Sequence, residues 1–296
     1  MRKNGIALLI TLMFIIVITV AIGFGLKEVN KASTLLQKEK FLYQSSIIVE
    51  DILNILRNSK DLDAAIKDNS IEGLYLFLSQ SEFIPFKTGG LDVLLSIKSA
   101  RSKFNPNTLD AKNIDVLKAY MAEKQVSPEY VDLLLDAKGG MLEDGYYYTN
   151  LFTEEPELFR DYIASKKQLE KINNFYRMEY NDNNIKNIDF DQLFYYNSDK
   201  NTSIDLNYAT EATWELIAGV QKDRAETLAL GAGMYTNVTD LELSDEELKN
   251  LSKFKTSFFE PILSVTIEIM EEKSSSKISF EYDIKKKKES NFVYEI

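Results

Sequence analysis

The side chains best suited to chemistry in this chain are oxygen donors. Its 296 residues include no histidine and no cysteine, against 46 aspartates and glutamates. Without histidine the chain lacks the commonest general base and transition-metal ligand, and without cysteine it lacks thiol nucleophiles and thiolate metal sites. An enzyme would have to use carboxylates, a Ser–Lys pair or tyrosine, and no spaced motif for these is visible, so the chain does not read as an enzyme. Aspartate, glutamate and asparagine oxygens suit calcium or magnesium. Two stretches rich in Asp, Asn and Tyr, residues 136–150 and 180–201, are long enough as loops to need a reason. A net charge of −11 argues against a nucleic-acid partner, because phosphate binding draws on Lys and Arg. With no disulfide available, the fold must rest on its hydrophobic core, alone or with bound metal.

The elements that would position these groups begin with an unusual N-terminus. Met1-Arg2-Lys3-Asn4-Gly5 precedes an uncharged, mostly apolar run that starts at Ile6 and ends at Lys27. A run of about 20 residues can cross a hydrocarbon core of roughly 30 Å. It exceeds the apolar core of about 7–15 residues in a secretory signal. Arg2 and Lys3 hold the N-terminus in the cytoplasm, which sends the remainder across the inner membrane as a single-pass protein. A glycine just before the apolar run resembles a type IV prepilin signal, whose cut leaves the helix in place. A plain single-span anchor is the alternative.

The helical pattern continues past Lys27. Val29, Ala32, Leu36, Tyr43, Ile47, Ile48, Ile52 and Leu56 recur at intervals of three and four, and no proline intervenes. One long helix is expected from Ile6 to about Arg57, amphipathic in its second half. A shorter helical pattern covers residues 61–80. Gly89-Gly90 marks a turn, Leu91, Val93, Leu95 and Ile97 alternate as a strand, and Pro85 marks a loop or an edge. The middle of the chain is helical with loops. Ser127-Pro128 starts a helix that ends at Gly139-Gly140, and Ser244 with Glu247 has capping-box spacing. Strands return over residues 258–270 and 277–284, joined by a hairpin loop at 271–276. A strand before the helical block and a hairpin after it imply one sheet, split in sequence by an insertion. Lys285 to Lys288 reads as part of a solvated tail.

Together these pieces resemble the K-type minor pseudopilins of type II secretion systems, in the type IV pilin-like superfamily. Gly5 before the apolar run resembles the prepilin peptidase site, making Ile6 the first mature residue. The Gly-Gly-strand leading into Phe104-Asn105-Pro106-Asn107-Thr108-Leu109 resembles that family's strand and "F-N-L-N-x-L" turn, with Pro106 replacing a leucine. Ile204-Asp205-Leu206-Asn207-Tyr208-Ala209 resembles its "I-N-V-N-T-A" segment before a short helix, where Asn207 would cap that helix. Ser257-Phe258-Phe259 resembles the lead into its final strand.

The resemblance implies an α+β pilin fold: a long N-terminal helix on a small antiparallel sheet, with a large all-α domain of SAM-like or helix–hairpin–helix type inserted. The expected parts are a leader (1–5), a transmembrane helix (6–26), a first pilin-like part (27–107), the helical insert (108–251), a second sheet part (252–284) and a charged tail (285–296). The implied role is that of a minor pseudopilin at the tip of the pseudopilus. It would start assembly with the I- and J-type minor pseudopilins and the major pseudopilin after cleavage by prepilin peptidase. Most pilins carry glutamate at the fifth mature position, set against the N-terminus of the subunit ahead; Ile10 stands there instead, as suits a subunit with none ahead of it. Residues 135–146 loosely resemble a family stretch linked to calcium, to which Asp136, Glu143 and Asp144 would contribute oxygens; a solvated loop is the plainer reading. The segment from Ile204 to Val220 also resembles a DNA-contacting helix–hairpin–helix, but Gly219-Val220-Gln221 lacks a second glycine and its surroundings are not basic. A type IV pilus minor pilin and a membrane-anchored DNA-uptake receptor are the competing readings.

Overall fold

The computed structural model describes residues 27, 31, 35–140, 146–271 and 274–295. The expected leader and span, with Gly5, Ile6 and Ile10, lie outside these. Among the described residues no helix is long and apolar enough to cross a membrane. Residues 35–58 form one helix, α1. Next come α2 (Lys60–Ala65) and α3 (Ile71–Ser81), then strands β1 (Ile84–Thr88) and β2 (Leu91–Ser99). A largely helical block follows: α4 (Ile114–Glu123), α5 (Glu129–Ala137), α6 (Leu151–Glu154), α7 (Lys166–Glu179), α8 (Phe190–Leu193), the short strand β3 (Ile204–Asp205), α9 (Glu211–Ala218), α10 (Lys222–Leu230), α11 (Asp245–Leu251) and the short strand β4 (Thr256–Ser257). The chain then returns as β5 (Ile262–Glu271), β6 (Ser274–Asp283) and β7 (Lys288–Glu295).

The periodicity in α1 conceals two stripes. Phe41, Ser45, Ile48, Ile52 and Leu56 are buried, and at ~100° per residue they share one face. Leu36, Tyr43 and Ile47 repeat at similar intervals on the opposite face and are exposed. The buried Ser45 hydroxyl donates to the Phe41 carbonyl at 2.8 Å, which removes the cost of an unpaired polar group against the sheet. The single helical pattern expected over 61–80 breaks in two. Ser59 and Ser70 each cap a new start, and Asn69 between them has φ of 58°. Gly73 lets α3 approach α2 closely, since a Cβ there would lie 2.3 Å from the Ala65 carbonyl oxygen.

The main sheet runs β1-β2-β5-β6-β7, antiparallel throughout. Gly89 and Gly90, at φ 58° and 84°, form the two-residue turn between β1 and β2, a conformation matched to the twist of a hairpin. Leu91, Val93 and Ile97 of β2, Leu263 to Ile269 at alternate positions of β5, and Ile278, Phe280 and Tyr282 of β6 face α1 as one core. Pro85 lies on the edge strand β1, where its missing N–H costs no ladder bond.

Three strand expectations need correction. The strand expected from 258 begins only at Ile262, after Pro261; Phe258 packs on the core of the helical block and Phe259 on that of the sheet. Pairing continues to Glu271 and Ser274, so the hairpin loop is shorter than residues 271–276. Of the tail expected over 285–296, Lys288–Glu295 instead forms the fifth strand. Its charged first half hid it: Lys, Glu and Ser suit an edge strand as well as a tail. The lysines before it are tied down, Lys287 to Asp63 at 2.7 Å and Lys286 to Asp283 at 2.9 Å.

A second core fills the helical block from Phe104 to Phe254, slightly wider than the expected 108–251, with Trp214 fully buried in it. Ser244 and Glu247 form the reciprocal capping box at the start of α11. Gly139, at φ 84°, closes α5 as expected. The start of α5 differs from expectation: Pro128 takes the cap position, and the Ser127 hydroxyl turns to the Glu129 carboxylate.

Candidate functional site: the junction of sheet and insert

The chain leaves the sheet at the end of β2 and returns to it at β5, and the polar residues at these crossings hold the two cores together. Arg101, just past β2, pairs with Glu281 of β6 at 2.8 Å, and both side chains are largely buried. The Asn197 amide donates to both Glu281 carboxylate oxygens, at 3.1 and 3.3 Å, and Asn291 of β7 donates at 2.9 Å. The Arg101 guanidinium also lies over the Tyr195 ring, 5.2 Å from its centroid. Burial alone would lower the Arg101 pKa, but Tyr195, Glu281 and Glu260 hold it above its usual value. Through Asn197 the insert is thus tied to β6 and β7, the last two strands at one edge of the sheet, at a charge pair whose hydrogen bonds are met.

Two asparagines pin loops by the same geometry. Asn107 Oδ1 accepts from the Ile163 N–H at 2.7 Å while its Nδ2 donates to the Ile163 carbonyl at 2.9 Å. Asn207 does likewise with Tyr235, at 3.0 and 2.8 Å, and adds a bond to the Phe258 carbonyl at 2.8 Å. Each side-chain amide imitates a paired strand, meeting the donor and acceptor of one buried backbone residue. Asn207 is therefore a clamp and not the helix cap expected of it. The cap of α9 is Thr210, whose hydroxyl accepts from Thr213 N–H at 3.2 Å. A cap must lie directly before its helix, and Asn207 is three residues too early. Asn105 caps the turn at Pro106–Thr108 and reaches the Asn197 and Asp199 carbonyls, linking that motif to the Arg101 network.

Asp205, fully buried in β3, accepts from the Asn207 N–H at 3.0 Å and the Glu260 N–H at 2.8 Å. Burial pushes its carboxyl up to about 7, outweighing the two N–H donors, and the nearby Glu260 charge adds to the rise. The folded value lies above the unfolded value of about 3.9, so the native state holds the extra proton between them. The stability this contributes is fully present below about pH 4 and is lost as pH rises through 7. Urea denaturation is expected to show wild type losing about 2–3 kcal/mol between pH 5 and 8, relative to the profile of Asp205→Asn. Parallel profiles would refute this.

Of the three calcium candidates, Asp136 alone lies among the described residues. Asp136 is buried, with Oδ1 accepting from Tyr148 N–H at 2.7 Å and Oδ2 from Thr149 N–H and hydroxyl at 2.8 and 2.6 Å. Both oxygens are spent on shaping the loop after α5. Glu143 and Asp144 lie outside the described residues, and among the described residues no cluster of three acidic side chains is placed to hold a metal. The helix–hairpin–helix expectation holds in shape, as α9, Gly219 and α10. At its tip Gly219 and Gln221 are exposed, Val220 is buried, and a Cβ on Gly219 would lie 2.8 Å from Asn250 Nδ2 of α11. Arg101, Asn197 and Glu281 carried no sequence signal, being isolated polar residues far apart in the chain. Asn107, Asp205 and Asn207 stood inside the quoted motifs.

No family model matches the chain, and no curated protein does. Among solved structures, the fold matches a chain in the crystal structure of the GspK–GspI–GspJ complex from the type 2 secretion system of enterotoxigenic Escherichia coli. The TM-score is 0.50 at 9% sequence identity, over 87% of this chain and 96% of that one. At this identity the likeness is one of fold: a helix on an antiparallel sheet, with helices between its strands.

Proposed function

We propose that this chain is a K-type minor pseudopilin, a structural subunit at the tip of a type II secretion pseudopilus and not an enzyme. The observation that carries the reading is the helical block of Phe104 to Phe254, inserted between the adjacent strands β2 and β5 of a sheet packed on α1. A fold of this kind occurs in the GspK–GspI–GspJ complex. The outer face of α1 supports it, since Leu36, Tyr43 and Ile47 form an exposed apolar stripe fit to pack on helices of neighbouring subunits. In this reading prepilin peptidase cuts after Gly5, Ile6 leads the mature chain, and residues 6–26 anchor it in the inner membrane with its bulk in the periplasm. I- and J-type minor pseudopilins then join it, with Ile10 marking the tip position and the major pseudopilin following below. The test is to express the full chain with its I- and J-type subunits and active prepilin peptidase, then isolate it from membranes. Mass spectrometry should find Ile6 at the N-terminus, and the two subunits should co-purify in a manner lost on Tyr43→Glu/Ile47→Glu. A mature chain starting at Met1 would overturn the proposal.

A further inference from the structure

The surface where α3 meets the turn after α10 stands apart from the α1 stripe and from the junction network. Leu230 and Met234 are among the most exposed large apolar side chains described, at 78% and 75% exposure. They flank a turn closed by the Met234 N–H to the Gly231 carbonyl at 3.1 Å. The turn is built and not loose. The Tyr235 hydroxyl donates to the Leu228 carbonyl at 3.0 Å, and Asn207 clamps Tyr235 from below. Gly233, at φ 79°, is pressed on the Tyr75 ring of α3, where a Cβ would lie 2.5 Å from Cγ. An apolar knob of the insert and an aromatic side chain of the sheet lobe thus form one outward surface on a rigid base.

The chain on either side of this knob is acidic in balance. From Lys222 to Lys249 it carries Asp223, Glu226, Asp240, Glu242 and three acidic residues of α11, against Lys222, Arg224 and Lys249. The Arg224 guanidinium is already committed to the Leu241 and Glu242 carbonyls, at 2.9 and 3.0 Å. Glu226 stands one helical turn before Leu230, on the same exposed face. Exposed apolar groups inside a charged rim are the anatomy of a protein contact, and an acidic rim disfavours anionic lipid and nucleic acid.

We propose that Leu230, Met234 and Tyr75 dock into an apolar recess rimmed by lysine or arginine on a partner protein, contacting both lobes at once. This is independent of the subunit's place in a pseudopilus. The test places a photocrosslinking benzoylphenylalanine at position 234 of the full chain in producing cells, with position 178 as control, since Met178 is equally exposed elsewhere on the insert. Position 234 should give an adduct to one protein whose mapped peptide carries flanking Lys or Arg. Its yield should fall about tenfold on Glu226→Lys/Glu242→Lys, and return when those partner cations are changed to glutamate. Both substitutions are at exposed positions, and an unchanged melting temperature establishes that each variant is folded. Equal adducts at 178 and 234, adducts to lipid, or a yield unmoved by charge reversal would overturn the proposal.

Discussion

Glu281→Ala is expected to destabilise the protein by about 3–5 kcal/mol, the cost of leaving one member of a buried charge pair without its partner. The variant strands the Arg101 guanidinium at the lobe junction and leaves the Asn197 and Asn291 amides without the oxygens they now share. Arg101→Met with Glu281→Leu removes both charges, and should recover most of the loss because apolar replacements end the desolvation cost that the single variant exposes. A double-mutant cycle of Arg101→Met, Glu281→Leu and their combination, followed by urea denaturation, reads the coupling. If the two single losses simply add in the double variant, the pair does not act as a unit. The functional corollary follows from position. Through Asn197 the pair joins the insert to β6 and β7, so Glu281→Ala should also loosen the angle between the lobes, seen as faster amide exchange at residues 195–201.

Asn207→Ala is expected to cost about 3–4 kcal/mol, because it strips partners from the Tyr235 N–H and carbonyl and from the Phe258 carbonyl. A cap residue would behave differently. Loss of a cap costs about 1 kcal/mol, and aspartate or serine would serve in its place. In the clamp, aspartate has no N–H to offer, so two carbonyl oxygens would face a carboxylate oxygen and Asn207→Asp should be at least as damaging as Asn207→Ala. Thr210→Ala, at the true cap, should show the smaller loss of about 1 kcal/mol. Thermal melts of the three variants separate the two roles directly. Equal, small losses at Asn207 and Thr210 would remove the clamp.

Much of the fold was legible because its signals are local. The glycine pair at 89–90 can take positive φ cheaply, the alternation of Leu91, Val93 and Ile97 puts them on one face, and the Ser244–Glu247 spacing closes a capping box within one turn. Where two local patterns coincide, the sequence misleads. Leu36, Tyr43 and Ile47 share the interval of Ile48, Ile52 and Leu56, so one stripe was expected where α1 has a buried and an exposed one. The strand Lys288–Glu295 was missed for a related reason, its lysines and glutamate being equally at home in solvent.

The candidate site was less legible. The motifs around Asn107 and Asn207 were recognised, but their partners, Ile163 and Tyr235, lie far enough along the chain that only the packed helices bring them near. That the Asp136 oxygens accept from the Tyr148 and Thr149 N–H groups of the loop folded over it shows only in the packed structure. Periodicity, turn chemistry and the position of the helical block within the sheet followed from the order of residues, because each depends on neighbours a few positions away. Which polar groups meet, which apolar face is left open, and which carboxylate is held near neutrality followed from packing. Those properties depend on burial and on the approach of distant segments, and no local spacing encodes either.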